Sequence, residues 1–368
     1  MKILRSYALG ELILPFIISI SVLTFIFLLG YMVKLADLIV AKGVSLIDVM
    51  QVMILIMPQI ISYTLPTGVL TAVLLVFGSM AQQNEITAMK ASGVNVVGVM
   101  VPAMVLAFII SIVSLFINDQ VTPEAQFRVR KAVKEILVKQ PTAYLEEGKF
   151  IKAFKGYVIF TKEIRGNELR GVTIYQPQGD GKAIRTIIAE RGEISSDPIE
   201  KRLSLKLYNG TSDESNPKNP EEIYKLDFES FELPTFDMGG STSNMEKKIK
   251  DLTIDELVMK LREQNPDLGH TTELMTRFKA EIHKKIAFSF APLVFALIGL
   301  PMAIITKRGE VIISFLLALC VVAVYYVLFV WANTIAVQGV VPPAVALWTP
   351  NVLMGLISFL LFKKAVRL

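Results

Sequence analysis

Apolar and polar positions divide the chain into two regimes. Six uninterrupted apolar runs, at residues 12–33, 52–80, 96–117, 286–306, 311–337 and 344–362, hold no Asp, Glu, Lys, Arg or His. A helix needs about 20 such residues to cross a bilayer, so each run predicts a transmembrane helix. The second run is long and holds Pro58 and Pro66, which predicts a tilt or kink. The first run is longer than the apolar region of a cleaved signal peptide, and no small-x-small site follows it. It is therefore read as a span.

The stretch 118–285 follows other rules. Residues 121–140 read as an amphipathic helix continuing out of the third run. After Pro141 come short β-rich runs at 149–164, 168–176, 183–195, 202–209 and 223–233. Several alternate polar with apolar, as in Arg202-Leu-Ser-Leu-Lys-Leu-Tyr208. Gly166-Asn167, Gly179-Asp-Gly181, Asp197-Pro198 and Asn209-Gly210 read as turns between them. Strands so spaced, without intervening helices, predict an antiparallel sandwich or open jelly roll. Residues 238–244 read as a Gly/Ser linker. Thr253-Ile-Asp-Glu256 is a capping box opening a helix, and a second helix starts near Thr271 and enters the fourth span. The fold class that results is an α-helical six-span membrane bundle, three plus three, with an inserted extracytoplasmic antiparallel β domain that is jelly-roll-like. Its domains are 1–117, 118–285 and 286–368, with a short helix between spans two and three at 82–95.

Composition agrees. The chain of 368 residues is 53% apolar, with 19% charged residues, against about 25% for a soluble domain. That excludes a disordered chain, a disulfide scaffold and an ordinary soluble enzyme. Residues 118–285 hold 28 Lys+Arg and 28 Asp+Glu, so the whole net charge of +5 lies in the apolar part. The basic balance then reports membrane topology and not nucleic-acid binding. Lys2, Arg5, Lys90, Lys307, Arg308, Lys363, Lys364 and Arg367 gather on one side of the spans, against Lys34 and Lys42 in the short loops of the other. Both termini are expected in the cytoplasm and 118–285 outside.

Catalytic signatures are missing. The chain has no G-x-x-x-x-G-K-[ST], no G-x-S-x-G, no H-E-x-x-H and no Cys/His cluster. Cys320 is alone, and His270 and His283 match no metal spacing. No catalytic residue, metal site or cofactor of its own is expected. Ion-coupled carriers place Asp, Glu or His within the membrane, and the six runs offer none. If the protein moves a cargo, a partner should supply the energy. Broken helices with free carbonyls could still bind Na⁺.

Three constellations remain. The segment 82–95 reads as a short helix closed by Gly93, with Glu85 in its first turn and Ile86, Met89 and Lys90 on one side. It could dock in a groove of a cytoplasmic partner or be a plain interfacial loop. Lys34, Arg277, Lys279, Lys284 and Lys285 put basic charge on the outer side, where it could bind lipid phosphates or serve as snorkelling anchors. Small residues in the spans (Gly68, Ala72, Gly78, Ala291, Ala296, Gly299) permit close helix contact. They suit an uncharged path for an amphiphile with an anionic head, or simple bundle packing.

With its three-plus-three layout, β-rich insert and Glu85-Ile-Thr-Ala-Met-Lys-Ala-Ser-Gly93 between spans two and three, the chain resembles the lipopolysaccharide-export permease family LptF/LptG (YjgP/YjgQ). Ala280-Glu281 and Leu347-Trp-Thr-Pro-Asn351 add to the likeness. Glu85-Ile-Thr87, Asn209-Gly-Thr211 and Asp227-Phe-Glu-Ser-Phe231 look more LptF-like, whereas Lys34 is similar to LptG. The resemblance implies a heterodimer with a paralogous permease subunit in the inner membrane of Gram-negative bacteria. It implies two copies of the ATPase LptB below, which would use the ATP, and an LptC-like periplasmic bridge that receives lipopolysaccharide. It maps ATPase coupling to Glu85 with Ile86, Met89 and Lys90, and lipid-phosphate contact to Lys34. Arg277, Lys284 and Lys285 join the lipid set by charge and depth alone. The rivals are a non-transporting scaffold presenting a β domain, an ion-coupled carrier, and a four-span lipoprotein-release exporter, whose layout the chain contradicts.

Overall fold

The computed structural model describes residues 2–40, 44–139, 145–154, 157–177, 184–197, 202–215, 223–233, 236–237, 245–263, 272–306 and 310–367. Lys42, Gly179-Asp-Gly181, Pro198, the 238–244 linker, His270, Thr271, Lys307 and Arg308 lie outside them. The chain divides into two compact units: residues 1–30, 55–127 and 247–368, and residues 31–54 and 128–246. Residues 247–285, read from the pattern with the β insert, thus group with the helical unit.

The helices are α1 (Lys2–Val40), α2 (Leu46–Gln82), α3 (Glu85–Ala91), α4 (Val96–Phe116), α5 (Thr122–Lys139), α6 (Ile254–Glu263), α7 (Thr272–Ser289), α8 (Ala291–Thr306), α9 (Val311–Gln338) and α10 (Pro343–Arg367). Six described helical segments are long and apolar enough to cross a membrane. Each extends past its apolar run, because a helix does not stop where hydrophobicity does. The helix α2 runs unbroken through Pro58 and Pro66. A π-turn at Ile117–Val121 joins α4 to α5, so the helical backbone does not stop at the end of the third apolar run.

Span two and the α7–α8 span are mostly buried, and the other four expose most of their surface. Small residues allow this. A Cβ on Gly299 would lie 2.9 Å from Leu70 Cδ1, and one on Gly68 would lie 2.6 Å from Ile20 Cγ1. Ala72, Ala291 and Ala296 are likewise buried, as close helix approach requires.

Span four is broken between α7 and α8 at Phe290, where Pro292 has no N–H to give. Neighbouring spans take up the freed groups. The Leu293 N–H donates to Ser111 Oγ at 3.2 Å. The Ala287 carbonyl accepts from Asn351 Nδ2 at 2.8 Å, while Asn351 Oδ1 accepts from the buried Tyr325 hydroxyl at 2.9 Å. Asn351 therefore ties α7, α9 and α10 at one point.

The second unit holds the sheet: β1 (Phe150–Phe154), β2 (Tyr157–Arg165), β3 (Glu168–Pro177), β4 (Ile184–Asp197), β5 (Arg202–Ser215), β6 (Ile223–Glu232) and β7 (Phe236–Asp237). All pairings are antiparallel, in the order β1-β2-β3-β4-β5-β6, with β7 on β5. The inserted antiparallel domain is as expected. Its described strands form one sheet in sequential order, and the run 149–164 is two strands. Gly166-Asn167 is the two-residue β2–β3 turn, with Gly166 at φ 60°, as a Gly-first hairpin turn needs.

Asn209-Gly210 is not a turn; it lies inside β5. The pairings skip Lys162, Gly171, Glu190, Asn209 and Glu229, which line up across the sheet, and the registers on either side stay in step. The buried set changes parity at that line. It passes from Leu169 to Val172 and Ile174 on β3, from Ile187 and Ala189 to Gly192 and Ile194 on β4, and from Leu205 and Leu207 to Ser212 on β5. One residue of each strand is left out of the ladder at this level, opposite the one left out of its neighbour, so the strands change face together without a change of register. Gly171 (φ 61°) and Asn209 (φ 50°) adopt the left-handed backbone there, which Asn tolerates for the same reason it favours turns. A Cβ on Gly210 would meet the Ile188 carbonyl at 2.3 Å and Phe228 Cζ at 2.7 Å. We expect Gly210→Ala to force β4 and β6 away from β5 and cost about 1–3 kcal/mol. Hydrogen exchange of the full chain should show faster exchange across 184–215, with the spans unchanged.

Candidate functional site

Two places in the helical unit carry chemistry. The first is α3, joining spans two and three. Its entry is set by Asn84 at φ 61°, which reverses the chain after α2. Its exit is a left-handed glycine cap: Gly93 N–H donates to the Lys90 carbonyl at 3.0 Å and Val94 N–H to the Met89 carbonyl at 2.9 Å. Asn95 then caps α4 through the Val97 N–H at 3.0 Å. A seven-residue helix is marginal alone, and these closures hold it.

The structure turns the face of α3 around. Ile86 is only 4% exposed and sits in the bundle's own core, with Met89 packed against it. Lys90 Nζ donates to the Ala365 carbonyl of α10 at 3.1 Å. The side read as a docking face thus anchors α3 to the protein, because an apolar stripe beside a bundle buries itself there first. Thr87, Ala88 and Ala91 face outward, and Glu85 is half-buried. The Glu85 carboxylate faces the Tyr7 hydroxyl of α1.

The second place lies about 20 residues back along α2, roughly 30 Å at 1.5 Å per residue, which is the thickness of a bilayer's hydrocarbon core. A cavity of about 350 Å³ opens there, lined by Ser62, Asn118, Thr122, Glu281, Lys284 and Lys285 among others. The π-turn, a device common at functional sites, puts Asn118 into its polar wall. Asn118 Nδ2 contacts Ser114 Oγ at 3.2 Å and Ser289 Oγ at 3.1 Å. Asp119 Oδ1 accepts the Ile254 N–H of α6 at 2.7 Å. Lys285 is 6% exposed, hydrogen-bonded to the Leu252 carbonyl and 3.7 Å from Asp119 Oδ1.

The basic residues expected at lipid-headgroup depth are therefore not equivalent. Lys285 is buried in a node joining α6, α7 and the π-turn. Lys284 is held by both Glu281 oxygens at 2.8 and 2.9 Å. Arg277 pairs with Glu273 at 2.6 Å on an exposed helix face. The backbone at Lys34 belongs to α1, and its side chain lies outside the described residues. Asn118, Asp119, Ser62 and Thr122 were missed; the signal was the polar triplet Asn118-Asp-Gln120 at the end of an apolar run.

Below this node the capping box forms as read. Glu256 Oε2 accepts the Thr253 N–H at 2.8 Å and Thr253 Oγ1 accepts the Glu256 N–H at 3.2 Å, while Lys247 donates to Glu256 Oε1 at 2.8 Å. Burial pushes the Glu256 carboxyl up, but the Lys247 and Thr253 hydrogen bonds outweigh it and hold it below its ordinary value of 4.5.

Six described helices long and apolar enough to cross a membrane, with an antiparallel β domain inserted in the middle of the chain, define the class of a multi-pass membrane protein with an inserted β domain. The chain belongs to the lipopolysaccharide export system permease LptF/LptG family, whose profile matches residues 6–364. It is similar to LptF of Escherichia coli (strain K12), 20% identical over 299 residues, covering 80% of this chain and 77% of that protein. It is also similar to an uncharacterized protein of Rickettsia prowazekii (strain Madrid E), 22% identical over 298 residues, covering 78% of this chain and 79% of that one.

Two expectations follow. Lys285→Met leaves the Leu252 carbonyl without its lysine donor and removes the cation facing Asp119, and should cost about 1–3 kcal/mol, read as a lower thermal midpoint in detergent; adding Asp119→Asn should recover part of the loss. The depressed Glu256 pKa means its contribution is complete above pH 4.5 and fades as pH falls through the lower folded value. Amide exchange at 254–257 should accelerate there, and Glu256→Gln should remove that pH dependence.

Proposed function

We propose that this permease is one subunit of an ATP-driven lipopolysaccharide extractor, paired with a paralogous permease. It takes lipid from the outer leaflet of the inner membrane, with both termini cytoplasmic and the β domain periplasmic. A cytoplasmic LptB-type ATPase dimer binds beneath α3 and uses the ATP, and an LptC-like bridge accepts the lipid from the β domain.

The observation that carries this reading is the pinning of α3. Ile86 in the core and Lys90 on Ala365 make it continuous with the bundle. Force on its outward side, Thr87, Ala88 and Ala91 with the half-buried Glu85, reaches spans two and three as a rigid-body shift. At the other membrane face, Lys34, Arg277 and Lys284 meet the lipid phosphates. Lys284 and Arg277 already carry carboxylate partners, so phosphate binding there is an exchange of ion pairs, while Lys285 holds the cavity wall in place.

Glu85→Ala should lower lipopolysaccharide-stimulated ATP hydrolysis by the assembled complex in proteoliposomes, with subunit stoichiometry preserved. Unchanged hydrolysis in an intact complex would remove the coupling role. A scaffold that does not transport would bring down no ATPase at all.

A further inference from the structure

Beside α3 and away from the polar cavity, α4, α8 and α10 enclose an apolar groove of about 400 Å³. Val97, Met100, Met104, Leu300, Gly355 and Phe359 form much of its wall. Ser358, its one hydroxyl, is spent on the Leu297 carbonyl. The walls run seven residues along α4 and along α10, about 10 Å, or two-thirds of one leaflet's ~15 Å of hydrocarbon.

The mouth is different. A second cavity of about 290 Å³ shares Val97 and Met100 with the groove and continues it to Lys90, Asn95 and Ala365. Lys90 spends one N–H on the Ala365 carbonyl and has two more to offer. Lys363 sits 4.6 Å over the ring of Phe359, a groove residue, and Lys364 is exposed beside it. Arg5 donates to the Gly98 carbonyl, one residue from Val97. An apolar slot at membrane depth that ends in three or four cations is complementary to one kind of molecule, a lipid with a negative head.

We propose that this groove is a binding site for an anionic glycerophospholipid, one acyl chain in the slot and the phosphate at Lys90 and Lys363. Because Lys90 also fixes α3 to α10, the bound lipid would brace the helix that takes up force. Only the leaflet, the cytoplasmic one, rests on the orientation proposed above.

Gly355 makes the test clean. A Cβ there meets nothing within 4 Å, so a leucine enters open groove without displacing the bundle. The full chain, in vesicles of phosphatidylethanolamine doped with phosphatidylglycerol carrying an acyl-chain diazirine, would be irradiated and its labelled peptides quantified. Labelling should concentrate in 97–104 and 355–362. Gly355→Leu should lower it roughly tenfold, given the methylenes that lose burial, and Gly355→Ala should leave most of it. Lys90→Gln with Lys363→Gln should lower phosphatidylglycerol labelling by about twenty-five-fold, a factor of about five per cation, and leave a phosphatidylcholine probe unaffected. Equal labelling of the exposed faces of α1 and α9, indifference to Gly355→Leu, or equal labelling by the two lipids would overturn the site. So would a groove that labels only when a partner polypeptide is removed. None of these readouts involves lipopolysaccharide or ATP, so they fail independently of the transport reading.

Discussion

Inside a bilayer an unpaired backbone group has no water to turn to, and the break in span four depends on that constraint being met by its neighbours. Ser111 takes the Leu293 N–H and Asn351 takes the Ala287 carbonyl. The break is thus shared among four spans, and the helices that close it are fixed relative to it. Asn351 is itself satisfied by Tyr325, so the node contains no polar atom left to strain the core. A leucine at 351 would leave the Ala287 carbonyl with only the longer 3.3 Å bond from the Phe290 N–H. The Leu347-Trp-Thr-Pro-Asn351 stretch, met first as a family likeness, has a physical reason to exist.

The same constraint sorts the charges. The apolar runs hold none, and the ionic groups sit at their ends, where water or a partner is in reach. Lys285 goes furthest in. It is tolerated because a carbonyl and a carboxylate face it from two other elements, and a buried cation without them would be expelled. The polar cavity is thus walled partly by committed groups, while Lys284, which lines it, and Lys250, exposed at its rim, can exchange partners without unfolding something.

Much of this was legible from periodicity. Six apolar runs meant six spans, Thr253 and Glu256 meant a helix start, Gly93 a helix end and Gly166 a hairpin, because each rests on a rule local to a few residues. What stayed hidden depends on neighbours far away in the chain. Asn209-Gly210 carries the local signature of a turn, and only the strands on both sides, with their own irregularities at Glu190 and Glu229, keep it inside a strand. The side of α3 that is buried is set by α10, some 275 residues distant in the case of Lys90 and Ala365. Lys285 has the charge of a headgroup ligand, and nothing nearby in the chain announces Asp119 as its partner.

A short helix can transmit force only if it resists moving alone. Left to itself, α3 would fray within a turn at each end. Its closures are of three kinds: backbone caps at Gly93 and Asn95, an apolar anchor at Ile86, and a polar strut from Lys90 to α10. The first two tie it to spans two and three, which is enough to carry a push inward. The third ties it to span six, so a displacement of α3 also acts on the helix holding Asn351, and through Asn351 on the break in span four. Movement of α3 would therefore have a covalent route through α2 and α4 and a non-covalent one through α10 to the node at Ala287. Lys285, which lines the polar cavity, and Ser289, which holds the cavity residue Asn118, lie within one turn of that node. The chain needs no ionisable relay across the membrane to connect its two ends, because two packed routes of neutral groups already do so.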